Sequence, residues 1–234
     1  MEQHHREFAG SIPENYERYF VPLIFADYAS LLAEALQAPE GSDVLETACG
    51  TGIVTRNIAD KLGPKSRLIA TDLNEPMIVE AQKAMGAASN VAFRQADATV
   101  LPFESGSFDA VVCQFGVMFF PDRMRGYREA ARVLTPGGRY LFNVWDSLDN
   151  NLFAKTIHDA VGRLYPDDPP KFLELPYGYC DLRLIVKELQ EAGFSKVDVY
   201  WEGEDEDGEG NGEWETVQTA ECDPSWIAYL IAEK

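Results

Sequence analysis

Residues 44–52 read Val44-Leu45-Glu46-Thr47-Ala48-Cys49-Gly50-Thr51-Gly52. An apolar run ends in an acid and passes at once into small side chains. That is how a buried strand hands over to a helix across a tight turn. Gly50 and Gly52 permit positive φ and let a ligand come close to the backbone. Free amides at the start of the next helix bind polar groups there, carboxylates above all. The helix is read over 53–62, with Val54, Ile58 and Leu62 at helical spacing.

The same alternation continues outward. Further strands are predicted at 67–72, 90–97, 108–115 and 139–145, and helices at 75–85 and 122–134. Glu75 and Pro76 open the helix at 75 with first-turn chemistry. Pro136-Gly137-Gly138 is expected to stop the helix that ends at 134. Residues 108–115 have an unbroken apolar core, as a strand buried on both faces does. Strands alternating with helices mean right-handed crossovers and a parallel sheet covered on both sides. The expected class is therefore α/β, a Rossmann-like doubly wound, mostly parallel sheet. Ligands of such sheets bind beyond the carboxyl ends of the strands. This singles out Glu46, Asp72, Asp97, Gln114 and Asp146.

The rest of the chain is organised around that core as one domain. Residues 1–40 read as N-terminal helices or a lid, 41–146 as the ligand-binding core, and 147–180 as an insertion on the substrate side. Within the insertion one helix is expected at about 151–164. Residues 181–234 hold a helix (181–192) and two strands (196–201 and 226–234) joined without a crossover helix, hence an antiparallel pair.

Composition excludes several classes. The chain has 234 residues, 46% hydrophobic and 25% charged, enough for one sizeable core. The net charge of −19 weighs against nucleic acid, which requires clustered Lys and Arg, and against anionic membranes. Eight carboxylates and no base fall within residues 202–215. Placing Gly210 or Gly212 at the sixth position of a calcium loop puts Thr216 or Gln218 where a bidentate Glu belongs. The EF-hand pattern therefore fails, and a solvated hairpin loop is expected. Cys49, Cys113, Cys180 and Cys222 make no C-x-x-C pair, and the three histidines lack ligand spacing, so neither zinc nor a disulfide framework is expected. No apolar run reaches the roughly 18 residues of a membrane span, and the N-terminus has no signal-peptide core. The expectation is a soluble cytoplasmic protein.

Two carboxylates narrow the ligand. Asp72 ends the second strand twenty residues after Gly52. That placement suits hydrogen bonds to both hydroxyls of an adenosine ribose. Glu46 would face a diphosphate unfavourably but suits a ligand with an ammonium and a sulfonium. Thr55 stands where the third glycine of a dinucleotide turn belongs. A cationic adenosine ligand fits better than NAD or FAD.

With ETACGTG (46–52) followed by ATDLN, QADATVLPF, FDAVVCQFGVMFF and REAARVLTPGGRYLF, the chain resembles the class I S-adenosylmethionine-dependent methyltransferases. It is most similar to their small-molecule, ubiquinone/menaquinone-biosynthesis branch, strongly over residues 40–146. The resemblance implies a seven-stranded sheet and S-adenosyl-L-methionine as cofactor, leaving S-adenosyl-L-homocysteine as product. It implies that Glu46 and the backbone of Ala48, Cys49, Gly50, Thr51 and Gly52 hold the methionine part, with Ala48 in place of the family's first glycine. Asp72 would hold the ribose, and Leu73 and Met77 would pack near the adenine. Asp97 would accept from the adenine amine beside Ala98, and Gln114 and Phe115 would lie near the reactive methyl.

The expected activity is in-line methyl transfer to a small, partly apolar acceptor, with no nucleic-acid or membrane partner. Alignment and exclusion of water carry most of such a reaction, and a base is needed only where the acceptor keeps its proton. Asp146 and His158 are the base candidates. Tyr16, Phe25, Phe119 and Phe120 are among the aromatics expected around the acceptor. A non-catalytic cofactor-binding module, a nicotinamide-dependent oxidoreductase and a methyltransferase acting on protein or RNA are the alternatives.

Overall fold

A computed structural model describes residues 10–202, 214–216 and 227–234. Strands β1 (Asp43–Glu46), β2 (Arg67–Asp72), β3 (Val91–Gln95), β4 (Phe108–Gln114) and β5 (Leu134–Trp145) run parallel. Helices α3 (Ile53–Lys61), α4 (Glu75–Met85) and α5 (Arg123–Val133) connect them. They follow a leading helical run made of α1 (Ile12–Asn15), a π-helical segment (Tyr16–Phe25) and α2 (Ala26–Leu36). After β5 come α6 (Leu152–Leu164), α7 (Leu182–Ala192), β6 (Lys196–Glu202), β7 (Trp214–Thr216) and β8 (Ile227–Glu233). The sheet order is β3-β2-β1-β4-β5-β8-β6-β7, and β8, β6 and β7 pair antiparallel.

The order reverses between β1 and β4, which places the switch point beside the Glu46 turn. Val44, Leu45, Val111, Val112, Leu141 and Phe142 are fully buried at the centre of the sheet. Each such side chain contributes about 1.5–3 kcal/mol by leaving water. α7 has the clearest apolar stripe, with Leu182, Ile185, Val186 and Leu189 buried and Asp181 capping its first turn.

The structure adds to or alters the expected elements at four points. β7 is an eighth, three-residue strand on the β6 edge. Pro136-Gly137-Gly138 lies inside β5 and does not end α5. The β4–β5 register shifts between Phe108 and Ala110, and Gly137 takes φ 76 there, so these residues form a bulge. A Cβ on Gly138 would meet the Thr135 carbonyl oxygen at 2.9 Å, which explains the bare position.

The third point is the leading run. Ile12–Leu36 is long and apolar enough, by length and composition alone, to cross a membrane, contrary to the sequence expectation. Asp27 and Glu34 interrupt the run in the sequence and hide its length. Ala29, Leu32, Ala33 and Leu36 are buried in the domain core, whereas Tyr19, Phe20 and Leu23 are exposed. Fourth, the acidic stretch falls largely in 203–213, and Cys222 also lies outside the described residues. Cys49 and Cys113 are buried thiols outside any disulfide.

Candidate functional site

A cavity opens above the carboxyl ends of the parallel strands. Ala48 and Gly50 reach it from the β1 turn, Asp72, Leu73 and Asn74 from β2, and Ala96, Asp97 and Ala98 from β3. Gln114, Phe115 and Gly116 reach it from β4, with Phe119, Phe120 and Pro121 beyond them. Met77 of α4 and Tyr16 of the π-helical segment complete the wall.

The turn is held by its neighbours. The Cys49 N–H donates to the Thr71 carbonyl, and the Thr47 N–H to the Val112 carbonyl, both at 2.9 Å. Asp72 is only 7% exposed. Its Oδ2 accepts from the Gly50 N–H at 2.9 Å, and its Oδ1 from the Asn74 N–H at 2.8 Å. One carboxylate thus ties two strand-end turns together. A carboxylate offers about four lone-pair sites, so acceptor capacity remains for a ligand. Burial raises the Asp72 pKa above its ordinary value, against the hydrogen bonds from Asn74 and Gly50.

Glu46 lies beneath the turn and does not line the cavity. It is 1% exposed, and its Oε2 accepts from the Thr55 hydroxyl at 2.6 Å. Burial pushes its pKa up to about 8, with the nearby Asp72 adding to the rise and Thr55 and Arg56 opposing it. Thr55, read from the sequence as a departure from a dinucleotide turn, thus has a positive role as the donor to Glu46. Arg56 donates to the Thr51 carbonyl at 3.0 Å and to Glu17 of the π-helical segment at 2.8 Å. The leading helix is thereby fastened to the turn itself.

Two non-glycine residues take left-handed backbone here, Ala48 at φ 53 and Phe115 at φ 46. Such conformations cost about 1–3 kcal/mol each and concentrate at functional sites. The Phe115 N–H is held by Asn143 Oδ1 at 2.9 Å, and its ring lies flat on Trp145 at 4.1 Å. Gly116 separates the β1 and β4 turns. A Cβ there would stand 2.6 Å from Cys113 Sγ and 2.7 Å from Ala48 Cβ. Gly116→Ala is therefore expected to lower stability by about 1–3 kcal/mol through overpacking. Urea unfolding measures it, and an unchanged midpoint would mean that the two turns have slack.

Of the residues singled out in the sequence, Ala48, Gly50, Asp72, Leu73, Met77, Asp97, Ala98, Gln114 and Phe115 meet at the cavity. Glu46, Cys49, Thr51 and Gly52 form the layer behind it. Asp97 Oδ1 accepts from the Thr99 N–H and hydroxyl, both at 2.7 Å. Asp146 and His158 do not line the cavity. Asp146 Oδ2 accepts from the Asn150 amide at 2.7 Å, and its Oδ1 from the Ser147 N–H at 2.5 Å, so it organises the turn into α6. His158 lies on α6, and its Nδ1 is buried without a partner among the described residues. Asn74, Ala96, Gly116 and Pro121 were missed. Asn74 precedes Glu75-Pro76, a helix-start signal that marks it as the residue turning off β2.

Residues 44–138 match the model of a methyltransferase-domain family. The demethylmenaquinone methyltransferase of Lactococcus lactis is 33% identical over 143 residues, 59% of this chain and 57% of that protein. The ubiquinone/menaquinone biosynthesis C-methyltransferase UbiE of Ectopseudomonas mendocina is 32% identical, over 67% of this chain and 66% of that protein. The enzyme of that name from Escherichia coli O1:K1 / APEC is 30% identical over 173 residues, 68% of this chain and 69% of that protein. The chain thus spans 57% and 66% of the length of the first two. Among solved structures, a SAM-dependent methyltransferase from Thermotoga maritima shares the fold with a TM-score of 0.66. It is 21% identical, covering 94% of this chain and 95% of that one. Another from Aquifex aeolicus has a TM-score of 0.66 at 16% identity, covering 97% and 99%.

Proposed function

This chain belongs to the class I S-adenosylmethionine-dependent methyltransferases of the ubiquinone/menaquinone type, and from that premise we propose that it methylates a small, partly apolar acceptor. The observation that carries the reading is the Asp72 carboxylate, buried at the cavity wall and bound to the turns after β1 and β2. The cavity residues fit the cofactor. Gly50 has open space where a Cβ would project, and Asp72 keeps acceptor capacity beyond its bonds to Gly50 and Asn74. When bound, S-adenosylmethionine supplies an electrophilic methyl group on a sulfonium.

In this reading Asp72 accepts from the ribose hydroxyls and Asp97 from the adenine amine, while Leu73 and Met77 cover the adenine. Glu46, with the backbone of 48–52, offsets the positive charge of the methionine part. Tyr16 stacks on Phe25 at 5.2 Å, and Phe25 packs against Phe115 at 5.7 Å, so an aromatic collar excludes water from the reacting end. Catalysis is then positional: the collar and the β4 turn align the acceptor with the methyl. Asp146→Asn and His158→Ala are expected to keep turnover within about threefold of the parent, because neither side chain reaches the cavity. A loss of 100-fold in either would restore that residue as a base.

The net charge of −19 supports a reading without a nucleic-acid partner. Calorimetric titration with S-adenosylhomocysteine and, separately, with NADH tests the proposal. Heat is expected with the first alone. Binding of NADH alone would replace the reading with a nicotinamide-dependent oxidoreductase, and tight cofactor binding without turnover on any acceptor would favour a non-catalytic module.

A further inference from the structure

Gln114 is the last residue of β4 and stands on the cavity wall. Its amide nitrogen donates to the Phe25 carbonyl at 3.3 Å, at the end of the π-helical segment. A carbonyl only accepts, so this contact decides which end of the amide faces it. The other end, Oε1, is buried and without a partner among the described residues. Folded chains rarely leave a buried acceptor in that state without a reason.

The surroundings of Gln114 are rigid and apolar. Phe115 is held in its left-handed conformation by Asn143, and its ring is parallel to Trp145 within 4°. Phe25, the anchor of the Gln114 amide, is stacked by Tyr16. The amide can therefore turn over only by giving up the Phe25 carbonyl. At this point of the cavity wall the chain therefore holds a buried, unsatisfied hydrogen-bond acceptor beside Phe25 and Phe115.

We infer that Gln114 is a specificity-determining residue whose Oε1 receives an O–H or N–H carried by the methyl acceptor. It admits a neutral, donor-bearing molecule and disfavours the same skeleton capped as an ether or ionised to an anion. A capped ligand leaves Oε1 unpaired, and an anion faces the negative end of the amide dipole. Sites built to hydrogen-bond a ligand donor reject analogues that lack it far more strongly than apolar pockets reject an extra methylene. The inference rests on the methyltransferase reading above, since it takes the cavity end at Gln114 as the acceptor side.

The test uses the whole chain saturated with S-adenosylhomocysteine, with phenol and anisole as probes, titrated by saturation-transfer NMR. Phenol is expected to bind at least tenfold tighter than anisole. Gln114→Met should bring that ratio to about one and hold S-adenosylhomocysteine affinity within about threefold. The wild-type ratio needs no variant, so a variant that fails to fold does not remove the test. Equal binding of the two probes to the wild type overturns the inference and leaves the cofactor reading standing. A tenfold loss of S-adenosylhomocysteine affinity in Gln114→Met also overturns it, by assigning Oε1 to the cofactor. A wild type that binds no S-adenosylhomocysteine overturns the proposed function itself.

Discussion

Asp72→Ala is expected to weaken S-adenosylhomocysteine binding about 100-fold, or about 3 kcal/mol. The change removes more than one contact. The carboxylate accepts from Gly50 and Asn74 at 2.9 and 2.8 Å, so its loss strands two backbone donors at the cavity wall and frees two turns. The same carboxylate is the proposed partner of the ribose. Hydrogen bonds to charged groups are worth about 1.5–3 kcal/mol each, and a buried donor left alone costs about 1–3 kcal/mol. Asp72→Asn keeps the size and one acceptor oxygen, so it should fall between the parent and the alanine variant. Isothermal calorimetry reads all three. An affinity for Asp72→Ala equal to the parent's would remove Asp72 from the cofactor site.

Cofactor affinity is also expected to rise steeply with pH below 8. The Glu46 pKa, ordinarily 4.5, stands at about 8 in the ligand-free protein because the group is buried, with Asp72 adding to the effect. Glu46 therefore carries a proton at neutral pH. A ligand bearing an ammonium and a sulfonium favours the ionised form, so its binding expels that proton. Affinity for S-adenosylmethionine should gain up to about tenfold per pH unit between pH 6 and 7.5. The gain ends near pH 8, where Glu46 is already ionised and the ligand's own α-ammonium begins to titrate. Burial raises the Asp72 pKa too, which acts in the same direction.

The sign for folding is the opposite. Between pH 4.5 and 8 the native state holds the Glu46 proton and the unfolded chain does not. Ligand-free stability from this group is complete below 4.5 and is lost as pH rises to about 8. Glu46→Gln should flatten both profiles. Proton release measured by calorimetry in buffers of differing ionisation enthalpy decides the matter. A parent affinity constant across pH 6–7.5 would mean that Glu46 is ionised before the ligand arrives.

The parallel core was legible because its signals are local and repeated. Each strand is a short apolar run, each connection has helical spacing, and Gly50 and Gly52 mark the one turn that must be bare. Residues at strand ends were found for the same reason: the topology forces Glu46, Asp72, Asp97 and Gln114 to one edge. The bulge at Pro136–Gly138 was read as a helix stop because both features use the same residue types. Asp146 met the strand-end criterion, yet its carboxylate turns to Ser147 and Asn150, a local choice that a strand pattern does not encode. His158 was selected by chemistry alone, without spacing to support it. The Glu17–Arg56 pair joins residues 39 apart, and no periodicity links them.

That pair makes the roof of the cavity answer to its floor. The guanidinium grips the Thr51 carbonyl and Glu17 together, one residue away from Tyr16 on the wall. One side chain thus joins the glycine turn to the segment that carries Tyr16, across 39 residues of sequence. Wall and floor of the compartment therefore share a fastening, and Arg56 is its hasp.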